Sequence, residues 1–181
     1  MRLWILGDGG ERARLESLAA DMGIPGSPPE AAGTAHFAGW LSQAECALRL
    51  QEADCLVLPS LLECGGAVVL EAMSLGKPVI ATAWGGPLDY LDSACGVLVP
   101  PDSRDAVIEG FVGAMVALAK SEATRLRLGA AGLAKVRTDY DWELKVDKML
   151  GVYAQAQATS IRPSAGGAAR GQADARRRRE P

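Results

Sequence analysis

Apolar and polar residues recur in two different periods along this sequence, and the changes of period mark its elements. Leu3-Trp4-Ile5-Leu6 is a short apolar run closed by Gly7-Asp8-Gly9-Gly10, the pattern of a strand entering a turn. Over 11–22 the apolar positions are Leu15, Leu18, Ala19 and Met22. That spacing of i, i+3, i+4 and i+7 lines one face of a helix, and Gly23 follows as its C-terminal cap. A loop of Pro, Gly and Ser over 25–33 leads to a second short strand near 34–38. Ser42-Gln43-Ala44-Glu45 has the form of a capping box, which predicts a helix from 42 to about 53. Cys55-Leu56-Val57-Leu58 is continuously apolar, as in a strand buried on both faces, and Pro59 stops it. A helix over 66–75, ended by Gly76, precedes strands over 78–81 and 96–99. Helices over 103–119, 122–136 and 141–154 complete the pattern. In the last of them Trp142, Val146, Met149, Leu150 and Tyr153 form one apolar stripe.

Strands that alternate with helices build a parallel sheet with helices on both faces, so the expected fold class is α/β. At 181 residues the chain is the size of one domain. Residues 1–154 are expected to form it. Past 154 the residues turn to Ala, Gly, Gln, Ser, Pro and Arg without periodicity, and 155–181 are expected to be a disordered, arginine-rich tail. Apolar residues make up 49% and charged residues 23%, ordinary for a globular protein. No run approaches the roughly 18 apolar residues of a membrane span.

The net charge of −3 combines an acidic body with a basic tail, where Arg162, Arg170 and Arg176 to Arg179 face only Asp174 and Glu180. An acidic body argues against nucleic acid as the main partner, because phosphate backbones need a basic face. The arginine run is read as a solvated tail. The cysteines at 46, 55, 64 and 95 form no CxxC pair, and His36 is the single histidine, so no metal site is expected. Nothing at the start resembles an export signal, which points to reduced thiols and a cytoplasmic location. Cys46 and Cys55 are expected to be small buried hydrophobes.

In open parallel sheets ligands bind outside the carboxyl ends of the strands. The loops there are 7–10, 39–41, 60–66 and 82–86, three of them glycine-rich. Glycine lets a backbone approach a ligand, and a following helix N-terminus offers N–H groups to an anion. The loop 60–66 is the most informative. Glu63 lies in it, Gly65 and Gly66 open the next helix, and Glu71 lies about 7 Å along that helix at ~1.5 Å per residue. Amides for a phosphate and carboxylates for hydroxyls suit a phosphorylated sugar or a nucleotide. The same residues also fit a plainer account, with Glu63 favouring the helix dipole and Glu71 facing solvent. Gly7-Asp8-Gly9 does not complete GxGxxG, since position 12 is Arg12, so dinucleotide binding is not supported.

Longer blocks resemble a known family. Pro59-Ser60, Glu63-x-x-Gly66, Leu70-Glu71-Ala72-Met73, Gly76-Lys77-Pro78-Val79-Ile80-Ala81-Thr82 and Gly85-Gly86 resemble the signature of the retaining family-4, or group 1, glycosyltransferases. Its centre is Glu-x7-Glu, here Glu63 and Glu71. Leu3 to Gly9, His36-Phe37-Ala38-Gly39 and Cys95 to Pro100 match further blocks in order and spacing, and the helix of Trp142 and Tyr153 resembles the family's last helix. The resemblance covers roughly 2–154. It implies the C-terminal half of a GT-B fold, a Rossmann-like domain that binds a nucleotide diphosphate sugar. It further implies transfer with retention, no metal and no other cofactor. Glu63 would contact the donor sugar as the catalytic carboxylate. Gly65, Gly66 and Ala67 would lie near sugar and diphosphate, Glu71 would hold the ribose, and Leu41, following Gly39, would meet the base through its backbone.

The departures carry expectations too. The family's Arg and Lys-Gly segment, which neutralises the diphosphate, and its acceptor domain stand upstream of blocks that this sequence begins with. The familiar Glu-Gly-Phe-Gly is Glu63-Cys64-Gly65-Gly66 here, and Asp89 stands where Gly-Gly-x-x-Glu ends in Glu. The chain alone is therefore expected not to turn over. Three readings follow: a donor-binding half of a transferase, a non-catalytic half that works with a separate N-terminal chain, and a non-functional remnant. A lipid-linked acceptor would bring peripheral membrane contact. His36 and Trp142 are read as structural and Lys77 as solvent-facing, with Trp40 and Trp84 in the site loops.

Overall fold

The capping box at Ser42 illustrates how closely local chemistry sets these elements. The Ser42 hydroxyl accepts from the Glu45 N–H, and the Glu45 carboxylate accepts from the Ser42 N–H at 2.8 Å. Ser42 also holds the Glu45 carboxyl below its usual range. The computed structural model describes residues 1–28 and 30–160. In order, they form β1 (Leu3–Leu6), α1 (Arg12–Asp21), β2 (Ala35–Gly39), α2 (Gln43–Glu52), β3 (Leu56–Leu58) and α3 (Ala67–Ser74). There follow β4 (Val79–Thr82), α4 (Pro87–Tyr90), β5 (Gly96–Val99), α5 (Arg104–Lys120), α6 (Glu122–Asp139) and α7 (Trp142–Ser160).

All strand pairings are parallel, but they fall in two sheets, β1-β2 and β3-β4-β5, where one had been expected. Among the described residues β1 and β3 each pair along one edge only. That explains a second correction. The apolar run of β3 predicts burial on both faces, yet all three of its residues are half-buried, because an edge strand has one open flank. Cys46 and Cys55 are half-buried too. The one-turn α4 had no periodic signal long enough to reveal it.

Strand β4 is the axis of the core, with all four residues buried. Successive side chains of a strand point to opposite faces. Val79 and Ala81 pack with Val69, Ala72 and Met73 of α3 and with Leu91 and Cys95. Ile80 faces the other way, onto Val99, Phe111, Leu118 and Leu128. Helices thus cover both faces of the three-stranded sheet. Burying a side chain such as Met73 or Ile80 contributes ~1.5–3 kcal/mol each.

The chain divides into two compact units, Met1–Arg137 and a second beginning at Thr138. In the second, the Asp141 carboxylate caps α7 by accepting from the Glu143 N–H at 2.9 Å, and Trp142, Met149, Leu150 and Tyr153 are at least half exposed. Helix α7 continues to Ser160, past the expected tail boundary at 155. The remainder of that tail, including Arg176 to Arg179, lies outside the described residues.

Candidate functional site

The loops anticipated as a site follow the carboxyl ends of β1, β2, β3 and β4. In the β3–α3 loop the chain reverses at Gly66, which adopts φ +63°, ψ 44°, a left-handed conformation that suits glycine. Glu63, half-buried, turns back on this reversal, and its Oε1 accepts from the Gly66 N–H at 2.8 Å. The Val69 N–H donates to Gly66 O at 2.8 Å. The Ala67 and Val68 N–H groups therefore head α3 without a partner among the described residues. A half-buried carboxylate stands beside free amides at a helix N-terminus, where the helix dipole favours anions.

Gly65 and Gly66 sit within this reversal, Gly66 buried, while Ala67 is exposed at the first position of α3. Glu71 lies on the second turn of α3 and is exposed. Leu62 and Cys64 are also exposed, Leu62 almost completely. Cys64 is the one exposed thiol of the four; burial pushes the Cys55 and Cys95 thiols up and makes them poorer nucleophiles. Lys77 follows α3 at the end opposite Gly66, and it is half-buried rather than solvent-facing. Trp40 is 84% exposed and Trp84 51% exposed, so both site-loop indoles are open to a ligand or a partner.

Gly39 closes β2 at φ +72° and accepts from the Gly7 N–H at 2.8 Å, which ties the ends of β1 and β2 together. Leu41, half-buried, lies two residues on, just before the Ser42 cap. Sequence reasoning missed the residue beneath this corner. The Arg12 guanidinium donates to Asp8 Oδ2 at 3.0 Å, to Glu16 Oε1 at 2.8 Å and to Phe37 O at 3.1 Å. Glu16 and then Asp8 raise its pKa further. A Cβ at Gly39 would stand 2.9 Å from Arg12 Nη1, the end of a side chain that can shift, so it is the positive φ rather than this contact that favours glycine there. The i, i+4 spacing of Asp8, Arg12 and Glu16 was the available signal; Arg12 registered only as the break in a GxGxxG pattern. His36 lies at the far side, with Nδ1 3.3 Å from Gly26 O and its ring edge-on to Trp4.

A groove of about 560 Å³ runs between α1 and β2, lined in part by Glu16, Ile24, Pro25, His36 and Phe37; none of its lining belongs to the β3–α3 loop. Among the described residues no cluster of three His, Cys, Asp or Glu could hold a metal ion, and no helix is long and apolar enough to cross a membrane.

Parallel sheets flanked by helices make this a Rossmann-like α/β domain of the GT-B architecture. The chain belongs to the family "Glycosyl transferases group 1", which it matches over residues 1–132. It is 37% identical over 131 residues to the lipopolysaccharide core biosynthesis glycosyltransferase LpsE of Rhizobium meliloti, covering 72% of this chain and 35% of that protein. It is 34% identical over 149 residues to a D-inositol 3-phosphate glycosyltransferase of a Nocardioides species, covering 80% and 30%. Among solved structures, sucrose-phosphate synthase from Thermosynechococcus elongatus superposes with a TM-score of 0.68 at 28% identity, over 87% of this chain and 39% of that one. HepE of Anabaena, solved in complex with UDP, shares the fold with a TM-score of 0.66 at 18% identity, over 86% and 41%. The chain spans about a third of the length of the curated relatives it matches.

Proposed function

We propose that this chain holds a nucleotide diphosphate sugar at the head of α3 and supplies the donor half of a retaining glycosyl transfer. The observation that carries the proposal is Glu63, held against the Gly66 N–H beside the free Ala67 and Val68 amides. One carboxylate oxygen serves the loop, and the other remains to accept from a hydroxyl of the donor sugar. The helix amides meet negative charge that grows on the diphosphate as the sugar leaves, which is where preorganised donors lower a barrier. Glu71, a helix turn further on and exposed, would accept from the ribose hydroxyls. Gly39 and Leu41, at the β2 corner, would face the base. No metal or other cofactor enters this scheme.

Transfer also needs an acceptor site and a cation for the diphosphate. Two observations favour their coming from residues beyond this chain, whether upstream or on a separate N-terminal half. The chain spans about a third of its relatives' length. The open edges of β1 and β3 would both be filled by one more parallel strand, since doubly wound sheets place such a strand between these two halves. The 181-residue chain by itself is then expected to bind donor without turnover. A lipid-linked acceptor, and the membrane contact and cytoplasmic location that go with it, extend the same proposal.

Calorimetric titration with UDP, GDP and ADP, each free and joined to glucose or mannose, tests it. Binding of one nucleotide series is the expected result. A folded chain that binds none of them contradicts it.

A further inference from the structure

We infer that Gly85 and Gly86 form a backbone clamp that sets the position of the Glu63 loop, two residues acting on the carboxylate without a side chain of their own. The loop 63–66 leaves β3 and the turn 85–86 leaves β4, so nothing in the chain's connectivity joins them. Yet every backbone unit of the loop is touched from that turn. The Gly86 N–H donates to Cys64 O at 3.0 Å. A Cβ built on Gly85 would lie 1.9 Å from Glu63 O, and one built on Gly86 would lie 2.0 Å from Gly65 O and 2.8 Å from Gly65 Cα. Buried Pro87 completes the contact, since a Cβ on Gly66 would stand 3.3 Å from its Cδ and 3.3 Å from Glu63 Cγ. Glu63 itself is tied down by its bond to the Gly66 N–H, within the loop. The position of that loop in the domain therefore depends on the turn.

The two glycines are required for different reasons. Gly85 has φ +62°, so any side chain there is strained twice over. Gly86 has φ −51°, ψ −38°, ordinary helical values, and only the approach to Gly65 excludes a side chain. Gly86→Ala is thus a clean wedge between turn and loop. Gly129 supplies its control. A Cβ there would meet Gly76 O at 1.9 Å, an equal insult, but between α6 and the turn after α3, away from the residues of the loop.

The consequence for sugar transfer rests on the donor-site proposal above, whereas the clamp rests on geometry alone, and the test separates them. Amide hydrogen exchange is measured on the 181-residue chain, on Gly86→Ala and on Gly129→Ala. Gly86→Ala is expected to speed exchange of the Gly66 amide by at least about tenfold relative to both others, since that amide is protected only while the loop is held. Its affinity for the preferred nucleotide sugar should fall by a similar factor, and that of Gly129→Ala should not. Unchanged Gly66 exchange in folded Gly86→Ala overturns the clamp. Faster exchange in a set of proteins none of which binds a nucleotide sugar upholds the clamp and removes only its link to the donor. Should Gly86→Ala not fold, exchange of the unaltered chain in sub-denaturing urea decides. The Gly66 and Gly86 amides must open together, and separate opening overturns the clamp.

Discussion

The two sheets of this domain are built by different means. The β3-β4-β5 sheet is held by apolar burial, with β4 wholly inside and helices packed on both faces. The β1-β2 sheet contributes little to the core beyond Ala35 and Thr34, and no residue of α1 is buried. Polar ties take the place of packing there: Arg12 binds Asp8, Glu16 and Phe37 O, and Arg49 stacks over the Trp4 ring at 4.4 Å to its centroid. The candidate site uses both halves. Glu63 and Glu71 stand on the loop and helix that follow β3, beside the apolar core, whereas Gly39 and Leu41 stand at the end of β2 in the lightly packed sheet. In the proposed function the sugar end of the donor meets a preformed surface, and the base end meets one that binding can still order.

Ile80→Ala and Ile5→Ala test that contrast most strongly. Ile80 is fully buried and its truncation should cost ~2–5 kcal/mol in urea unfolding, against less than half of that for half-buried Ile5. Equal losses would erase the distinction between the sheets. Next in size is Glu71→Ala, which should weaken nucleotide binding by ~1–3 kcal/mol, the loss of one charged hydrogen-bonding partner, without moving the unfolding midpoint. Unchanged calorimetric affinity would remove Glu71 from the site. Arg12→Ala should then sharpen the account of the β1-β2 sheet: amides of β2 exchange faster while those of β4 keep their protection. Uniform acceleration would mean that the two sheets open as one.

The smallest effect concerns Asp92 and Lys135. The hydrogen bond from Lys135 Nζ, 2.7 Å long, and then the Ala94 N–H hold the Asp92 carboxyl below its usual range. A depressed carboxyl contributes stability above its unfolded value of ~3.9, and that contribution disappears as pH falls through the lower folded value. Both side chains keep solvent access, so Lys135→Ala should cost at most ~1 kcal/mol at pH 7 and progressively less as pH falls and the Asp92 carboxylate is protonated. A loss that does not shrink as pH falls would point to packing by the lysine stem.

Where local chemistry decides, the structure could be read from the residues. The Ser42 box starts α2, Gly23 and Gly76 follow α1 and α3, and the patterned runs mark eleven of the twelve elements among the described residues, all but α4. The loop that brings Glu63 to the head of α3 was legible as well, from Glu63, Gly65 and Gly66 in an acid–glycine pattern. Tertiary facts were not. The split into two sheets depends on which strands find neighbours, and an apolar run such as 55–58 looks the same at an edge as in a centre. The bond of the Gly86 N–H to Cys64 O and the Arg12 tie to Phe37 O join residues 22 and 25 positions apart, and no local spacing announces them.

The central claim is that the head of α3 is the donor site, and amide chemical shifts of the ¹⁵N-labelled chain test it most directly. Addition of the nucleotide sugar selected by calorimetry should move the Gly65, Gly66, Ala67 and Val68 amides first, with those around Leu41 following. Shifts confined to the α1–β2 groove around Ile24 and Phe37, with the amides of α3 unmoved, would contradict it.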